Sequence, residues 1–378
     1  MVYNDFMTAY FDQLLLPPQE LLSIKNSFVQ EIQDASRGKE SSVSFLRHTI
    51  PQTSPLKDGE TFQVMTIGGS VFKTALVKKQ RNTTIVLSED DDAIPTFNSE
   101  QIFIEFIVKH LVPTITYLSL NLAYPLDPVF RNNLLDGIFV RGGKEHRFDG
   151  LIGKKVGETI EDFVFSRLKR KVWVTVANDT VCLFISEATT QTWDTTVAGI
   201  IGTGTNYAIG MNGQVINLQS GSFNKIPQTP SGKIIDQESI NPGKGMTDKE
   251  IAGAYLFRHF NIIAKENNPP FSPLASTKEL SQLAEKNDGG ASQLAQIILE
   301  RSASLAACQI AGIVEFKQQT TRGPLTFVME GALFWEGWQY KAMLRKYLKM
   351  FGVDKSIKFS PIRHHSIRGG IKLLLGLS

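Results

Sequence analysis

The chain has 378 residues, which exceeds the usual size of one hydrophobic core and predicts two domains. A hydrophobic fraction of 42%, a charged fraction of 20% and a formal net charge of +3 are typical of a globular protein. They exclude a disordered chain and a strongly basic nucleic-acid-binding protein. Two cysteines predict no disulfide framework, and neither a signal peptide nor a membrane span is expected, so the predicted location is cytoplasmic.

The first half of the chain is predicted to alternate between helices and strands. Pro17 and Pro18 precede apolar residues at helical spacing, which predicts a first helix that includes Leu21 to Ile32. The next predicted elements are a strand at Phe62–Ile67, a hairpin at Gly68–Ser70, a strand at Phe72–Lys78, a helix at Ser99–Val112, a strand at Ile115–Tyr124, a helix at Val156–Leu168, a strand ending at Asp179 and a helix at residues 181–190.

The second half repeats this alternation. Its predicted elements are strands at Gly199–Gly204 and Tyr207–Met211 around a glycine-rich turn, helices at Asp248–Asn261 and Gln293–Phe316, a strand at Leu325–Leu333, a helix at Gly337–Phe351 and a terminal helix whose core face is Ile371–Leu375. Strands mixed with helices in both halves predict two α/β domains with a cleft between them.

An acidic residue stands at the end of the apolar strand Val174–Ala177. A carboxylate at such a position suits a general base that accepts a proton from a substrate hydroxyl during attack on a γ-phosphate, and Asp179 is the candidate. The alternative is an aspartate that only caps the following helix. Asn178 offers a donor and an acceptor to a sugar hydroxyl.

Two glycine-rich turns are candidates for phosphate binding. They are Gly68-Gly69-Ser70 and Gly202-Thr203-Gly204-Thr205. Glycines let the backbone approach a phosphate, and the amides and hydroxyls donate to its oxygens. Ordinary hairpin turns are the alternative, although two such turns in one chain favour phosphate binding. Lys144 is a candidate for binding a sugar or for stabilising charge in the transition state, and its alternative is a solvated loop lysine.

Taken in order, these segments resemble the sugar kinases of the eukaryotic-type hexokinase family. The similarity runs from about Leu21 to about Gly370 and is strongest at Val174–Ala208 and Asp236–Leu256. The matching segments are Phe62–Val77, Leu120–Pro125, Gly137–Lys144, Asn178-Asp179-Thr180, Gly202-Thr203-Gly204-Thr205-Asn206, Glu238–Gly243 and Gly253–Leu256.

The resemblance implies an α/β fold of two ribonuclease-H-like (actin/hexokinase-type) domains around a central cleft. The small domain would comprise residues 61–178 and 363–378, and the large domain residues 1–60 and 179–362. These domains would close over a hexose and ATP with Mg²⁺. No nucleic-acid or membrane partner is expected, and the chain would be a monomer or a homodimer.

The resemblance also implies roles for single residues. Asp179 would be the base for the sugar 6-hydroxyl and would support Mg²⁺ through water, and Lys144 would assist catalysis. The substrate-binding residues would be Asn178, Asn206, Gln219, Asp248 and Lys144. The nucleotide-binding residues would be Gly68, Gly69, Ser70, Lys73, Gly202, Thr203, Gly204, Thr205 and Gly369.

Several residues depart from the family pattern. Thr66 stands where the family has an acidic residue that helps to hold the metal. Gln219 and Asp248 stand for two glutamates that bind the sugar, and the last nucleotide loop is reduced to Ser366–Gly370. Two functions therefore remain open: an ATP-dependent kinase acting on a hexose, with glucose as the first choice, and a non-catalytic or weakly catalytic sugar sensor. A bacterial-type glucokinase and an actin-like filament protein fit the residues less well.

Overall fold

The structure, a computed structural model, describes residues 14–68, 71–81, 83–143, 146–266, 270–362 and 365–376. Backbone contacts divide the chain into two compact units. The described residues of 1–45, 199–207 and 218–361 form unit 1, and those of 46–198, 208–217 and 362–378 form unit 2. The predicted domain boundaries stay a prediction. Relative to the predicted small domain, unit 2 also contains residues 46–60, 179–198, 208–217 and 362.

The described α-helices follow the apolar 3.6-residue periodicity of the sequence. They are α1 Pro18–Ser36, α2 Glu100–Lys109, α3 Val156–Leu168, α4 Asp179–Glu187, α5 Pro230–Glu238, α6 Met246–Ile251, α7 Leu256–Glu266, α8 Thr277–Lys286, α9 Gly289–Gln318, α10 Ala332–Glu336, α11 Tyr340–Met350 and α12 His365–Leu375.

The described strands are mostly short and apolar. They are β1 Leu46–His48, β2 Thr61–Ile67, β3 Val71–Gln80, β4 Thr83–Ala93, β5 Tyr117–Leu122, β6 Leu126–Arg131, β7 Leu134–Phe139, β8 Trp173–Asn178, β9 Thr196–Ile201, β10 Thr205–Met211, β11 Gln214–Asn217, β12 Leu325–Glu330 and β13 Ile357–Pro361.

Unit 2 contains a five-stranded mixed sheet in the order β4-β3-β2-β5-β8. Strand β3 pairs antiparallel with both β2 and β4, and β5 runs parallel to both β2 and β8. The predicted α/β class is confirmed, and the sheet is mixed. Ile67 pairs with Leu122, and Leu122 pairs with Asn178. The carboxyl ends of β2, β5 and β8 therefore lie at one edge of the sheet, as parallel strands require.

Helix α12 packs against one face of this sheet. Its Ile367, Ile371 and Leu374 belong to a buried cluster with side chains of β2 and β3, which confirms the predicted core face of the terminal helix. Gly370 permits this approach, because a Cβ atom there would clash with the Val64 side chain. The opposite face is covered by α2 and α3 around a larger aromatic and aliphatic cluster. Each fully buried large apolar side chain contributes about 1.5–3 kcal/mol.

Unit 1 is built around α9, which contacts α1, α7, α8 and α11. By length and composition α9 is apolar enough to span a membrane, yet 94% of its most apolar window is buried inside the protein. Such burial is what the core helix of a globular unit shows. In the same unit β12 and β13 pair parallel. The predicted helix Gln293–Phe316 is confirmed as the central part of α9.

The prediction of one helix over Asp248–Asn261 was wrong. The segment forms α6 and α7, with a break at residues 252–255. There the backbone leaves the helix because Gly253 N donates to Gly202 O at 2.7 Å and Ala254 N donates to Thr203 O at 3.2 Å. Apolar periodicity within one segment carries no information about a hydrogen bond to a distant loop.

Candidate active site

The segment Asn178-Asp179-Thr180 lies where β8 ends and α4 begins, at the sheet edge described above. Asn178 is the N-cap of α4, with extended backbone angles, and its side chain accepts a hydrogen bond from Thr180 N at 3.1 Å. Capping by Asn satisfies an amide that would lack a partner at the helix start. Local capping chemistry therefore fixes where Asp179 emerges from the strand.

Asn178 has a buried side chain that bonds to several parts of unit 2. Its Nδ2 donates to Leu122 O at 3.4 Å and to Tyr124 O at 3.2 Å. Its Oδ1 also accepts from Asn217 Nδ2 at 2.8 Å. Only 3% of Asn178 is exposed, so the amide joins the ends of β5, β8 and β11. Its direct contact with a sugar stays a prediction.

Asp179 is partly exposed, unlike its two neighbours. Its Oδ1 accepts hydrogen bonds from Thr180 N at 2.7 Å and from Thr180 Oγ1 at 3.2 Å. Burial raises the pKa of the Tyr124 phenol, and the negative charge of Asp179 raises it further. The Cys182 thiol has a raised pKa for the same two reasons, in the same order. Asp179 thus presents an oriented carboxylate next to groups that stay neutral.

The first predicted phosphate turn connects β2 and β3. Gly68 N donates to Val71 O at 3.0 Å across this turn, while Gly69 and Ser70 lie outside the described residues. Lys73 is exposed on β3 directly opposite Thr66 of β2.

Lys144 also lies outside the described residues. The residues on either side of that gap pair closely: Gly143 N donates to His146 O, and His146 N donates to Gly143 O, each at 3.0 Å. His146 is itself buried and its Nδ1 accepts from Phe97 N at 3.0 Å. The predicted roles of Lys144, Gly69 and Ser70 stay predictions.

Gly369 has a packing role in the structure. It lies inside α12, where a Cβ atom would clash with the backbone carbonyl of Cys182 on α4. Close approach of two helices explains a glycine at this position without any ligand. Its predicted contact with a nucleotide stays a prediction.

The second glycine-rich turn, in unit 1, connects β9 and β10. Gly202 N donates to Gly204 O at 3.0 Å and closes the turn. A Cβ atom on Gly331 would clash with Ile201 O, so a second backbone segment packs directly against the turn. The hydroxyl of Thr205 is buried and has no hydrogen-bond partner within the described residues. An unpaired buried hydroxyl beside tightly packed glycine backbone is what a bound anion or an ordered water would satisfy.

Three predicted sugar-binding residues come together in unit 1. Asp248 Oδ1 accepts from Thr205 N at 2.8 Å, and the Asp248 carboxylate occupies the space that a Cβ atom on Gly221 would need. Asn206 Oδ1 accepts from Ser220 N at 3.2 Å. Gln219, the neighbour of Ser220, has a φ of 47°, a left-handed conformation that costs a non-glycine residue about 1–3 kcal/mol. Strain of this kind is concentrated at functional sites.

Sequence reasoning missed the polar residues beneath this cluster. Gln309 Nε2 donates to Ser220 O at 3.1 Å from the buried interior of α9. Gln309 Oε1 and Ser220 Oγ are buried without partners among the described residues. The available signal was a glutamine within the apolar run Ala306 to Ile310 of a core helix.

Comparison with known proteins agrees with this architecture. A family model described as hexokinase matches residues 272–373. Hexokinase-9 of Oryza sativa subsp. japonica is 26% identical over 231 residues, which cover 52% of this chain and 45% of that protein. Hexokinase-2 of Candida albicans is 23% identical over 294 residues, which cover 68% and 60%. The chain thus spans about half the length of the curated relatives it matches.

The fold is shared with solved hexokinases. A structure of the hexokinase from Schistosoma mansoni complexed with glucose superposes with a TM-score of 0.77 and 18% identity, and the match covers 98% of each chain. At this identity the superposition shows the fold alone. The chain is therefore similar to hexokinases in sequence over part of its length, and it shares their fold.

Proposed function

We propose that the protein transfers the γ-phosphoryl group of ATP to the 6-hydroxyl of a hexose, with glucose as the first candidate. The observation that carries this proposal is the partly exposed carboxylate of Asp179, fixed at the carboxyl end of β8 by the Asn178 cap. The chain is similar to hexokinases over about half of their length, and this similarity supports phosphoryl transfer to a sugar as the reaction class. The proposed location is cytoplasmic.

Asp179 is the proposed general base. Its carboxylate accepts the proton of the 6-hydroxyl as that oxygen attacks phosphorus, and the hydrogen bonds from Thr180 keep the carboxylate oriented. Proton transfer to a positioned side chain contributes about 10²–10⁴ to a rate.

The proposed sugar ligands are the three clustered side chains of unit 1. Asn206, Gln219 and Asp248 offer amide donors and amide or carboxylate acceptors, which suit a ring of hydroxyls. Gln219 is neutral, so its hydrogen bonds are weaker than those of a carboxylate by roughly a factor of two. Binding by these three side chains orients the sugar. Gln219 contributes no charge that would favour one sugar hydroxyl over another.

ATP and Mg²⁺ are the proposed cofactors, and the residues present fit them. The Thr205 hydroxyl, which has no partner in the described part of the chain, and the glycine backbone at 202–204 are suited to hold phosphate oxygens. Within the described residues no cluster of three acidic, histidine or cysteine side chains is available for a metal. Mg²⁺ usually takes only one or two carboxylates together with phosphates and water, and Asp179 meets that need. When bound, Mg-ATP supplies the phosphoryl group and neutralises its charge.

A sugar sensor without turnover is the second candidate, and Thr66 favours it. Thr66 is 8% exposed, and its Oγ1 has no partner among the described residues. A hydroxyl here supplies no charge to a metal. The test is a coupled assay of the purified chain with Mg-ATP and a panel of hexoses. Turnover on any hexose supports the kinase, whereas saturable sugar binding without turnover supports the sensor.

Replacing Thr66 tests the metal directly. Thr66→Asp is expected to raise the phosphorylation rate or to lower the Mg²⁺ concentration needed for half-maximal rate, because a carboxylate adds a ligand for the cation. The check is a Mg²⁺ titration of activity. Thr66→Asn, of similar size but neutral, is the control and is expected to leave the titration unchanged. If the aspartate variant also left it unchanged, the metal would be held elsewhere.

Replacing Asn217 tests how Asn178 is positioned. Asn217→Ala removes the 2.8 Å bond to Asn178 Oδ1, and we expect kcat to fall about tenfold, the equivalent of roughly 1.4 kcal/mol. The KM for sugar is expected to change less than twofold, since no sugar-binding side chain of unit 1 is altered. The exposed Asn98→Ala is the matched control. An unchanged kcat would mean that the Asn178 cap needs no support from β11.

A further inference from the structure

A pocket lies in unit 1, and its lining includes none of the clustered residues Asn206, Gln219 and Asp248. Its volume is about 360 Å³, at the small end of the ~300–1,000 Å³ range of ligand pockets. Helices α9 and α11 and the turn before α11 form its walls, and we call it the α9–α11 pocket. The lining residues are Gln296, Glu300, Trp338, Gln339, Ala342, Met343 and Lys346.

The turn that carries Trp338 and Gln339 is held in place on both sides. A Cβ atom on Gly337 would clash with Leu333 O, and Trp338 N donates to Ser281 Oγ at 2.6 Å. Gln339 has a φ of 50°, a left-handed conformation that is strained for this residue type. Such strain persists only where the surroundings fix it, so this wall of the pocket is preformed.

Glu300 provides a hydrogen-bond acceptor in this pocket. Its Oε1 accepts from Lys346 Nζ at 2.7 Å and from Tyr347 OH at 2.8 Å. Its Oε2 makes no such bond within the described residues. The carboxylate is thus oriented by two donors and keeps one oxygen for a ligand.

Gln296 provides a second acceptor. Its Nε2 donates to Ala284 O at 2.9 Å and to Asn287 Oδ1 at 3.1 Å, which fixes the orientation of the amide group. In the described part of the chain, its Oε1 has no donor. The pocket therefore presents two oriented acceptors on successive turns of α9.

Trp338 supplies a large apolar surface and a donor. Its indole N–H has no acceptor among the residues that the structure describes, and Ala342 and Met343 extend the apolar lining. The face of an indole ring carries partial negative charge and attracts the weakly positive C–H groups of a ligand. The apolar ring and the N–H group of Trp338, together with the acceptors of Glu300 and Gln296, suit a ligand that has both a C–H face and hydroxyl groups.

The charges of the pocket argue against an anionic ligand. The carboxylate of Glu300 is balanced by the ammonium of Lys346, so the lining carries no net charge. A phosphate or nucleotide would meet one cation already paired to a carboxylate and two acceptor oxygens that repel it. A neutral hydroxylated ligand meets complementary groups instead.

We propose that the α9–α11 pocket binds a neutral pyranose sugar, separately from the sugar site of the proposed kinase reaction. The ring would lie against Trp338, and its hydroxyls would donate to Glu300 Oε2 and Gln296 Oε1. An open pocket and a small polar ligand give a Kd on the order of 1 mM. This inference does not rest on the proposed function, because no residue of that site takes part.

The test uses the full chain labelled with fluorotryptophan and followed by fluorine NMR. The chain has four tryptophans, and Trp338→Phe assigns the resonance of Trp338. Glucose, a neutral disaccharide and glucose 6-phosphate are titrated in turn. A saturable shift of the Trp338 resonance with a neutral sugar is expected. No shift with either neutral sugar overturns the proposal, and tighter binding of the phosphorylated sugar overturns the neutral ligand class.

Two pocket variants and one control variant distinguish a loss of sugar binding from a general loss of folded structure. Glu300→Gln and Gln296→Leu are each expected to weaken the Trp338 response at least tenfold, whereas exposed Lys349→Ala on α11 changes it less than twofold. Equal weakening by the control would overturn the assignment of the pocket. Phosphorylation rates of the same variants are expected to stay unchanged. Failure of the proposed kinase activity would leave the NMR response intact, so the two outcomes are distinguishable.

Discussion

Asp179→Asn is expected to lower the rate of sugar phosphorylation by about 10²–10⁴, which is the contribution of a general base. The amide keeps the acceptor for the two Thr180 donors, so the start of α4 stays in place. It does not take up the proton of the 6-hydroxyl. The measurement is kcat by a coupled assay, with sugar affinity determined by calorimetry on the same variant.

Sugar affinity of this variant is expected to stay within about threefold of the parent chain, because neither partner of the Asp248–Thr205 contact is changed. Asp162→Asn, an exposed acidic residue on α3, is the matched control and is expected to retain full turnover. If Asp179→Asn retained full turnover, Asp179 would not be the general base. Equal loss in both variants would point to a nonspecific effect of charge.

Glu250→Leu is expected to lower the free energy of unfolding by about 3–5 kcal/mol, the cost of breaking a buried ion pair from one side. Glu250 Oε2 accepts from Arg301 Nε at 3.2 Å, and Oε1 accepts from Thr229 N at 2.9 Å. Both charged side chains are nearly inaccessible to water, at 0% and 4% exposure. The variant leaves the guanidinium buried without its counter-charge. Urea unfolding followed by circular dichroism measures the effect.

Two further variants decide whether burial causes this loss. Glu238→Gln disrupts the exposed pair with Arg258 and is expected to cost at most about 1 kcal/mol. Combining Glu250→Leu with Arg301→Met removes both charges, and we expect the double variant to be more stable than Glu250→Leu alone. A single variant as stable as the parent would show that the pair contributes little. If the double variant were no more stable than Glu250→Leu, the lost free energy of unfolding would be assigned to altered packing.

The Glu250–Arg301 pair also bears on the candidate site. Glu250 lies on α6, the helix that carries Asp248, while Arg301 lies on the central helix α9. Arg301 further donates to Leu14 O at 2.8 Å and to Pro227 O at 2.6 Å. The pair thus ties the helix of a proposed sugar ligand to the core of unit 1.

The sequence by itself determined the elements that are specified locally. The helix Val156–Leu168 was predicted with its observed bounds. The helix predicted at Ser99–Val112 is observed as α2, and Ser99 caps it by accepting a hydrogen bond from Ile102 N within the same turn. A strand ending at Asp179 and a following helix at residues 181–190 were predicted, whereas the strand ends at Asn178 and the helix begins at Asp179 because Asn178 is its N-cap. Apolar periodicity and capping both act over a few residues, so they can be read without tertiary information.

Strands with weak apolar periodicity escaped sequence analysis. The strand β4 was not predicted, because its side chains are almost all exposed and it contains the acidic run Asp90–Asp92. It forms by backbone pairing with β3, which has its own apolar residues on the buried side. The formation of β4 depends on its pairing with β3, and the local sequence of β4 contains no information about that pairing.

Only the tertiary structure decided how the candidate site is assembled. Asp248 and Thr205 are far apart in the chain yet share a hydrogen bond, and Gln219 takes a left-handed conformation that no local signal specifies. Asn178 was predicted from sequence as a sugar ligand, which stays a prediction, and only the structure shows that its amide also bonds to β5 and β11. Sequence therefore determined which chemical groups are present and where helices and strands begin. Long-range backbone and side-chain hydrogen bonds, which depend on folded geometry, decided which of those groups meet.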